Sequence, residues 1–95
     1  MALNFQIFFH ANKGSLFIKL GGDFDGSSAH ELLNALKERS PSFYHTYIDT
    51  NDLNTIYPFG KDVFEKKFKI FKKQLNNIIF AGENKNHIAP DFMQK

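Results

Sequence analysis

The sequence predicts an α/β domain on a mixed four-stranded sheet: an N-terminal antiparallel hairpin, then parallel strands, with helices mainly on one face. Three observations predict it. Leu3–Leu20 holds two runs of period-two alternation around a glycine-containing turn, which reads as a β-hairpin. Two later stretches repeat apolar residues at steps of three and four, each after a helix-start signal. Short runs rich in β-branched and aromatic residues follow each of them. Ninety-five residues make a single domain, with no room for a second hydrophobic core.

In the first run Leu3, Phe5, Ile7 and Phe9 alternate with Asn4, Gln6, Phe8 and His10. Ala11-Asn12-Lys13-Gly14 is the turn, and Gly14 tolerates positive φ. Leu16, Ile18 and Leu20 then alternate with Phe17 and Lys19. Gly21 to Gly26 ends that strand, and Ser28 with Glu31 has the spacing of a capping box. Ala29, Leu32, Leu33 and Leu36 continue as a helix over Ser28–Arg39, which stops before Pro41. Phe43–Ile48 is the third strand, ended by Asp49 and a polar loop that carries Leu53 and Ile56. Pro58 suits the first position of a second helix over Pro58–Lys73, because an N–H there would lack a partner anyway. Val63, Phe64, Phe68, Phe71 and Leu75 mark its core face. Ile78-Ile79-Phe80-Ala81 is a continuous apolar run, so Asn77–Ala81 reads as a buried parallel strand. The tail from Glu83 to Lys95 has Ile88, Phe92 and Met93 to anchor it and is expected to be poorly structured, save one helical turn starting at Pro90.

Each later helix returns the chain to a parallel strand by a right-handed crossover, which gives the mixed sheet. Twelve Phe and three Tyr supply the core density that so short a chain needs. With no cysteine, disulfides, thiolate metal sites and cysteine nucleophiles are excluded. A cytoplasmic setting with no membrane span is the expectation, since the sequence has no long apolar run. The net charge of +2 is too small to imply a nucleic-acid partner. Lys61, Lys66, Lys67, Lys69, Lys72 and Lys73 crowd the second helix, but its aromatics fall at core spacing, so the lysines read as a solvated face.

Several chemical motifs fail on inspection. Gly21-Gly22-Asp23-Phe24 spells the start of a diguanylate cyclase signature, yet Asp25 follows where that signature has Phe. As a calcium loop the stretch lacks a ligand at Gly21 and a bidentate Glu at Leu32. His10, His30, His45 and His87 have no metal-binding spacing, and neither a Walker-type phosphate loop nor a nucleophile elbow occurs. Asp49, at a strand end beside a helix start, has no second acid or base patterned with it. The chain therefore reads as no enzyme, with no metal and no cofactor. Phe8, Phe17 and Tyr47 lie on the strand face opposite Phe9, Ile18 and Ile48. That aromatic face is either a partner surface, serving self-association as a homodimer, or covered by the tail through Ile88 and Phe92.

The order of elements, with certain junction residues, resembles the STAS domain, the family of anti-sigma-factor antagonists and sulfate-transporter tails. Leu20-Gly21-Gly22-Asp23-Phe24-Asp25 is similar to the family's strand end, an apolar residue followed by Gly-x-Leu-Asp. Ala29 to Leu36 is similar to its first helix. Tyr47-Ile48-Asp49 through Leu53, Ile56 and Gly60 resembles its Leu-Asp-Leu-x-x-Val-x-x-Ile-Asp-Ser-Ser-Gly without a gap. The resemblance covers about Phe5 to Gly82 and departs at one place. The family's Asp-Ser-Ser falls on Tyr57-Pro58-Phe59, so the serine that a kinase modifies falls on Pro58, which has no hydroxyl. The family's long C-terminal helix is reduced to the stub after Glu83.

The resemblance implies a non-enzymatic regulatory interaction module that binds another bacterial regulatory protein, of the anti-sigma-factor or kinase-like kind or associated with a transporter. Its switch loop falls on Ile56, Tyr57, Pro58, Phe59 and Gly60, with Asp25 nearby. Without the serine, binding is expected to be constitutive. The alternative is a small-ligand or nucleotide-binding domain that uses the same helix N-terminus for an anion. Pro58 removes one N–H donor from that site, and Tyr57 and Phe59 crowd it.

Overall fold

The computed structural model describes residues 4–71 and 77–90. Four strands, β1 (Gln6–Asn12), β2 (Ser15–Phe24), β3 (His45–Ile56) and β4 (Asn77–Ala81), form one sheet in the order β1-β2-β3-β4. β1 and β2 are antiparallel, and β2, β3 and β4 run parallel. Helices α1 (Gly26–Arg39) and α2 (Pro58–Phe71) are the two crossovers, and α3 (Lys85–Ile88) is a single turn after β4. This is the mixed, hairpin-first α/β architecture that the sequence predicts.

Both long helices pack on one face of the sheet. Leu16, Ile18, Leu20 and Ile48 of the strands meet Leu32, Leu33 and Leu36 of α1 and Phe64 and Phe68 of α2 in one core. A series of aromatic contacts crosses it. Phe5 meets Phe24 edge-on at 5.9 Å, Phe24 meets Phe64 at 6.2 Å, and Phe64 reaches Phe80 at 6.0 Å and Phe68 at 5.4 Å. At the far end of α1, the Arg39 guanidinium lies 3.9 Å above the Phe9 ring and covers the β1 side of the core.

Several boundaries differ from the sequence reading. β2 does not end at Leu20, and Asp49 to Ile56 is not a loop: β2 runs on to Phe24 and β3 to Ile56, paired with each other. The register slips between Lys19 and Gly21 and again between Gly22 and Phe24. Each slip matches two residues of β2 to three of β3, as at a β-bulge. The inward positions of β3 therefore step by three, through Thr50, Leu53 and Ile56, and a period-two search reads them as loop. Polar residues are tolerated there because β4 stops opposite Asp49, and the side chains of Asn51, Asp52, Asn54 and Thr55 reach solvent.

α1 begins at Gly26, two residues before the predicted capping box. Its N-cap is Asp25, whose side chain accepts the Ser28 N–H, and Ser28 is already inside the helix and buried. Phe43 and Tyr44 precede β3 rather than opening it, since Ser40–Ser42 forms a short 3₁₀ turn. β4 is an edge strand, so Ile79 is 38 % exposed on the open face of the sheet rather than buried.

The helical turn of the tail precedes Pro90 instead of starting at it, and Ile88 is fully buried in the same core as Leu53. A clip that only the tertiary structure makes visible holds it there. The Thr50 hydroxyl donates to the Ala81 carbonyl at 2.8 Å and accepts the Asn84 N–H at 3.1 Å. The Asn84 side-chain amide donates to the Thr50 carbonyl at 2.9 Å, and Asn51 Oδ1 accepts the Glu83 N–H at 2.7 Å. The predicted positions Leu3, Lys72, Lys73, Leu75, Phe92 and Met93 lie outside the described residues.

Candidate functional site

Because β2 and β3 are parallel neighbours, their C-terminal ends lie side by side, and so do the two strand-to-helix junctions that follow. Tyr57 N–H donates to the Phe24 carbonyl at 2.9 Å, which ties one junction to the other. Pro58 opens α2, with the Lys61 N–H donating to the Tyr57 carbonyl at 3.1 Å. The junctions then touch through backbone. A Cβ at Gly60 would lie 2.7 Å from the Asp25 carbonyl carbon, so only glycine fits without movement. The Phe59 ring lies over Gly26, where an added Cβ would be 3.1 Å from its edge.

The sequence-predicted set thus divides clearly. Asp25, Phe59 and Gly60 come together at the meeting of the two helix starts, with Tyr57 beside them. Ile56 turns inward, half-buried against the core and paired with Phe24. Tyr57 and Phe59 are outside, 46 % and 71 % exposed. Two aromatic rings at such exposure, next to a rigid paired junction, form an apolar outward surface beside the positive ends of two helices.

Asp25 is fastened at this point. Its Oδ1 accepts the Ser28 N–H at 3.0 Å, the Ser27 hydroxyl at 2.8 Å and the Ser28 hydroxyl at 3.1 Å. The Ser28 N–H, aided by the two hydroxyls, holds the Asp25 carboxyl well below the usual carboxylate range. A depressed folded-state pKa stabilises the fold fully above the unfolded value of 3.8, and that contribution fades as pH falls towards the lower folded value. Asp25→Asn keeps a cap acceptor without the titration. Its urea midpoint is expected to fall less steeply than that of the wild type between about pH 5 and pH 2. Equal slopes for both proteins would exclude Asp25 as an acid-sensitive cap.

Asp49 stands in mid-strand, and its Oδ1 accepts the Asn51 N–H at 2.9 Å. Among the described residues, no group of three or more His, Asp or Glu side chains is placed to hold a metal ion. Among them, also, no helix is long and apolar enough to cross a membrane. On the open face of the sheet Phe17 stacks on Tyr47 at 5.1 Å, and Phe8 is 54 % exposed. Ile88 cannot cover that face, because it packs in the core on the other side. Lys19, Asp49 and Ile79 belong to the same face, for which the sequence alone names Phe8, Phe17 and Tyr47. Extending the alternation of Phe17 and Tyr47 by two residues in each strand finds Lys19 and Asp49.

No family model matches the sequence, and no curated protein matches it. Solved structures do. The anti-sigma factor antagonist SpoIIAA in its unphosphorylated form matches with a TM-score of 0.56 at 12% identity, over 80% of this chain and 70% of that one. An uncharacterized protein of the DUF3478 family from Shewanella loihica PV-4, with a SpoIIAA-like fold, matches with a TM-score of 0.58 at 14% identity, over 83% of this chain and 68% of that one. Mglu in its L-glutamate binding form, in 4.3 M NaCl, matches with a TM-score of 0.71 at 10% identity, over 88% of this chain and 28% of that one. The chain spans only 19% to 28% of the length of the Mglu chains. These matches establish a STAS-like fold, that of SpoIIAA.

Proposed function

We propose that this chain is a regulatory protein-interaction module, which binds a bacterial regulatory protein through Tyr57, Phe59 and the adjoining start of α2. The observation that carries this reading is Phe59. It is an aromatic side chain, 71 % exposed, lying over Gly26 at the point where two helix starts meet. Exposed aromatics on a rigid frame are the usual anchors of protein interfaces, since little entropy is lost when they dock. SpoIIAA, which shares the fold, is an anti-sigma factor antagonist, and that supports a partner of the same regulatory kind. Pro58 in place of the family's serine makes binding constitutive in this reading, with no phosphate switch at the helix start.

The test is recovery of an equimolar partner from the native host, followed by the same recovery with Phe59→Glu. Affinity is expected to drop about 30-fold or more, as at an interface hot spot, with the circular dichroism spectrum unchanged. Partner binding that is indifferent to Phe59→Glu overturns the assignment of this surface.

The second reading is a small-ligand domain, favoured by the likeness to Mglu, whose structure is in an L-glutamate binding form. A rise in melting temperature with L-glutamate, nucleotides or inorganic anions, together with no protein partner, would establish that reading instead.

A further inference from the structure

The open face of the sheet carries three rows of side chains, set by the strand register. Asn12, Ser15, His45 and Asn77 form a polar row. His10, Phe17, Tyr47 and Ile79 form an apolar, aromatic row beside it. Phe8, Lys19, Asp49 and Ala81 form the third, with opposite charges on its two central strands. Among the described residues neither α1, α2 nor Ile88 of α3 lies over this face, since all pack in the core on the other side.

We propose that this face is the interface of a two-fold symmetric dimer of the chain, with the axis running along the strands between β2 and β3. Such an axis lays β2 of one copy over β3 of the other, and β1 over β4. Each row then meets itself in reverse order. Phe17 faces Tyr47 of the second copy, and His10 faces its Ile79. Lys19 faces Asp49 of the second copy, so charge meets opposite charge twice across the axis. Within its own chain Lys19 pairs with Asp52 at 3.0 Å, but both side chains are more than half exposed, so that bond is weak enough to be shared with the second copy. Phe8, 54 % exposed, faces Ala81, the smallest side chain of its row. A groove of about 490 Å³, lined by Phe8, Phe17, Lys19, Tyr47, Asp49 and Ala81 among others, gives that ring space to enter. Ser15 faces His45, and Asn12 faces Asn77, which places a hydrogen-bonding rim beside an apolar centre.

The end-for-end arrangement centred on the same row loses this match. Turning the second copy end for end, with β1 over β1 and Phe17 over itself, sets Lys19 against Ser15 and leaves Asp49 against His45. The area is also adequate. Four strands about 4.8 Å apart, carrying three rows about 6.8 Å apart, give a flat area of roughly 400 Å² per copy before side chains are counted, enough for a dimer of modest affinity. Two sheets pack face to face at about 10 Å with their strands roughly aligned, as this axis requires.

Sedimentation equilibrium at roughly 100 μM, above the micromolar range where interfaces of this size can dissociate, is expected to show a dimer. Phe17→Glu is expected to give a monomer with an unchanged circular dichroism spectrum. Lys19→Asp sets acid against acid at both contacts, and Asp49→Lys sets base against base. Each alone is expected to weaken dimerisation about tenfold. Mixed in equal amounts, the two variants pair the introduced acid of one with the introduced base of the other at the first contact. At the second contact the unchanged Lys19 and Asp49 still meet, so the mixed dimer is expected to regain the wild-type affinity. A change that only damaged the fold would not be repaired by mixing. A wild-type monomer, a dimer insensitive to Phe17→Glu, or a mixture no tighter than its components overturns the proposal.

Discussion

Phe64→Ala is expected to destabilise the domain by about 3–5 kcal/mol, and to lower its melting temperature by roughly 20 °C. Phe64 is fully buried and touches three other rings: Phe24 from β2, Phe68 one turn along α2, and Phe80 from β4. Its removal leaves a cavity bordered by rigid rings on three sides, which cannot collapse as a flexible aliphatic pocket does. Both the transfer cost and the cavity cost are then incurred, along with about 0.5–1.5 kcal/mol for each lost ring pair. Domains of this size are stable by only about 5–15 kcal/mol, so a large part of the total goes with one side chain. Phe59→Ala, at an exposed ring earlier in the same helix, is the control and should change stability by no more than about 0.5 kcal/mol. Equal urea midpoints for the two variants would show that α2 does not seat Phe64 at the centre of the core.

What can be read from the sequence follows from how regular each element is. Leu16, Ile18 and Leu20 against Phe17 and Lys19 repeat every two residues, so β2 and its faces are legible. Val63, Phe64 and Phe68 repeat at helical steps, so α2 is legible too. β3 beyond Asp49 is not, because two register slips with β2 turn its inward positions into Thr50, Leu53 and Ile56, a spacing that belongs to neither strand nor helix. At the start of α1, Asp25 and Ser28 are both good caps three residues apart, and sequence alone favours the one with a glutamate downstream. Asp25 prevails because its carboxylate accepts the Ser28 N–H and the Ser27 hydroxyl, while the Ser28 hydroxyl is shared between Asp25 Oδ1 at 3.1 Å and the Asp23 carbonyl at 3.0 Å and so caps no N–H further along.

The candidate site is legible for a different reason. Once β2 and β3 are parallel neighbours, the residues that leave their C-terminal ends must meet, whatever their chemistry. That topology brings Asp25 to Gly60 and Gly26 to Phe59 across about 35 residues of chain. The open face is half legible. Phe8, Phe17 and Tyr47 declare themselves as aromatics on the wrong side of alternating strands. Ile79 does not, because its run of four apolar residues looks the same in a buried strand and in an edge strand covered on one face only. The anchoring of α3 depends on Thr50, Asn51 and Asn84, ordinary polar residues whose role exists only once the sheet has formed.

Gly60→Ala is expected to destabilise the domain by about 2 kcal/mol, opposite in sign to the usual effect of that change in a helix. At a free helical position, alanine is better than glycine by about 1 kcal/mol. Here the new methyl would stand 2.7 Å from the Asp25 carbonyl carbon and 2.8 Å from its oxygen, so one of the two backbones must withdraw by more than half an ångström. Neither side yields easily. The Asp25 carbonyl already accepts the Ala29 N–H at 3.0 Å, and its carboxylate is held by Ser27 and Ser28. α2 is held by Phe64 in the core and by the Tyr57 N–H bond to Phe24. Overpacking between two such fixed elements costs about 1–3 kcal/mol or somewhat more, which outweighs the gain in helix propensity. The same withdrawal moves Phe59 off Gly26, so binding at the proposed Tyr57–Phe59 surface should weaken along with stability. Chemical denaturation of Gly60→Ala beside Lys66→Gly, an exposed helix position, separates the two terms. A stabilised Gly60→Ala protein would show that the two helix starts stand further apart than the close contact of Asp25 and Gly60 requires.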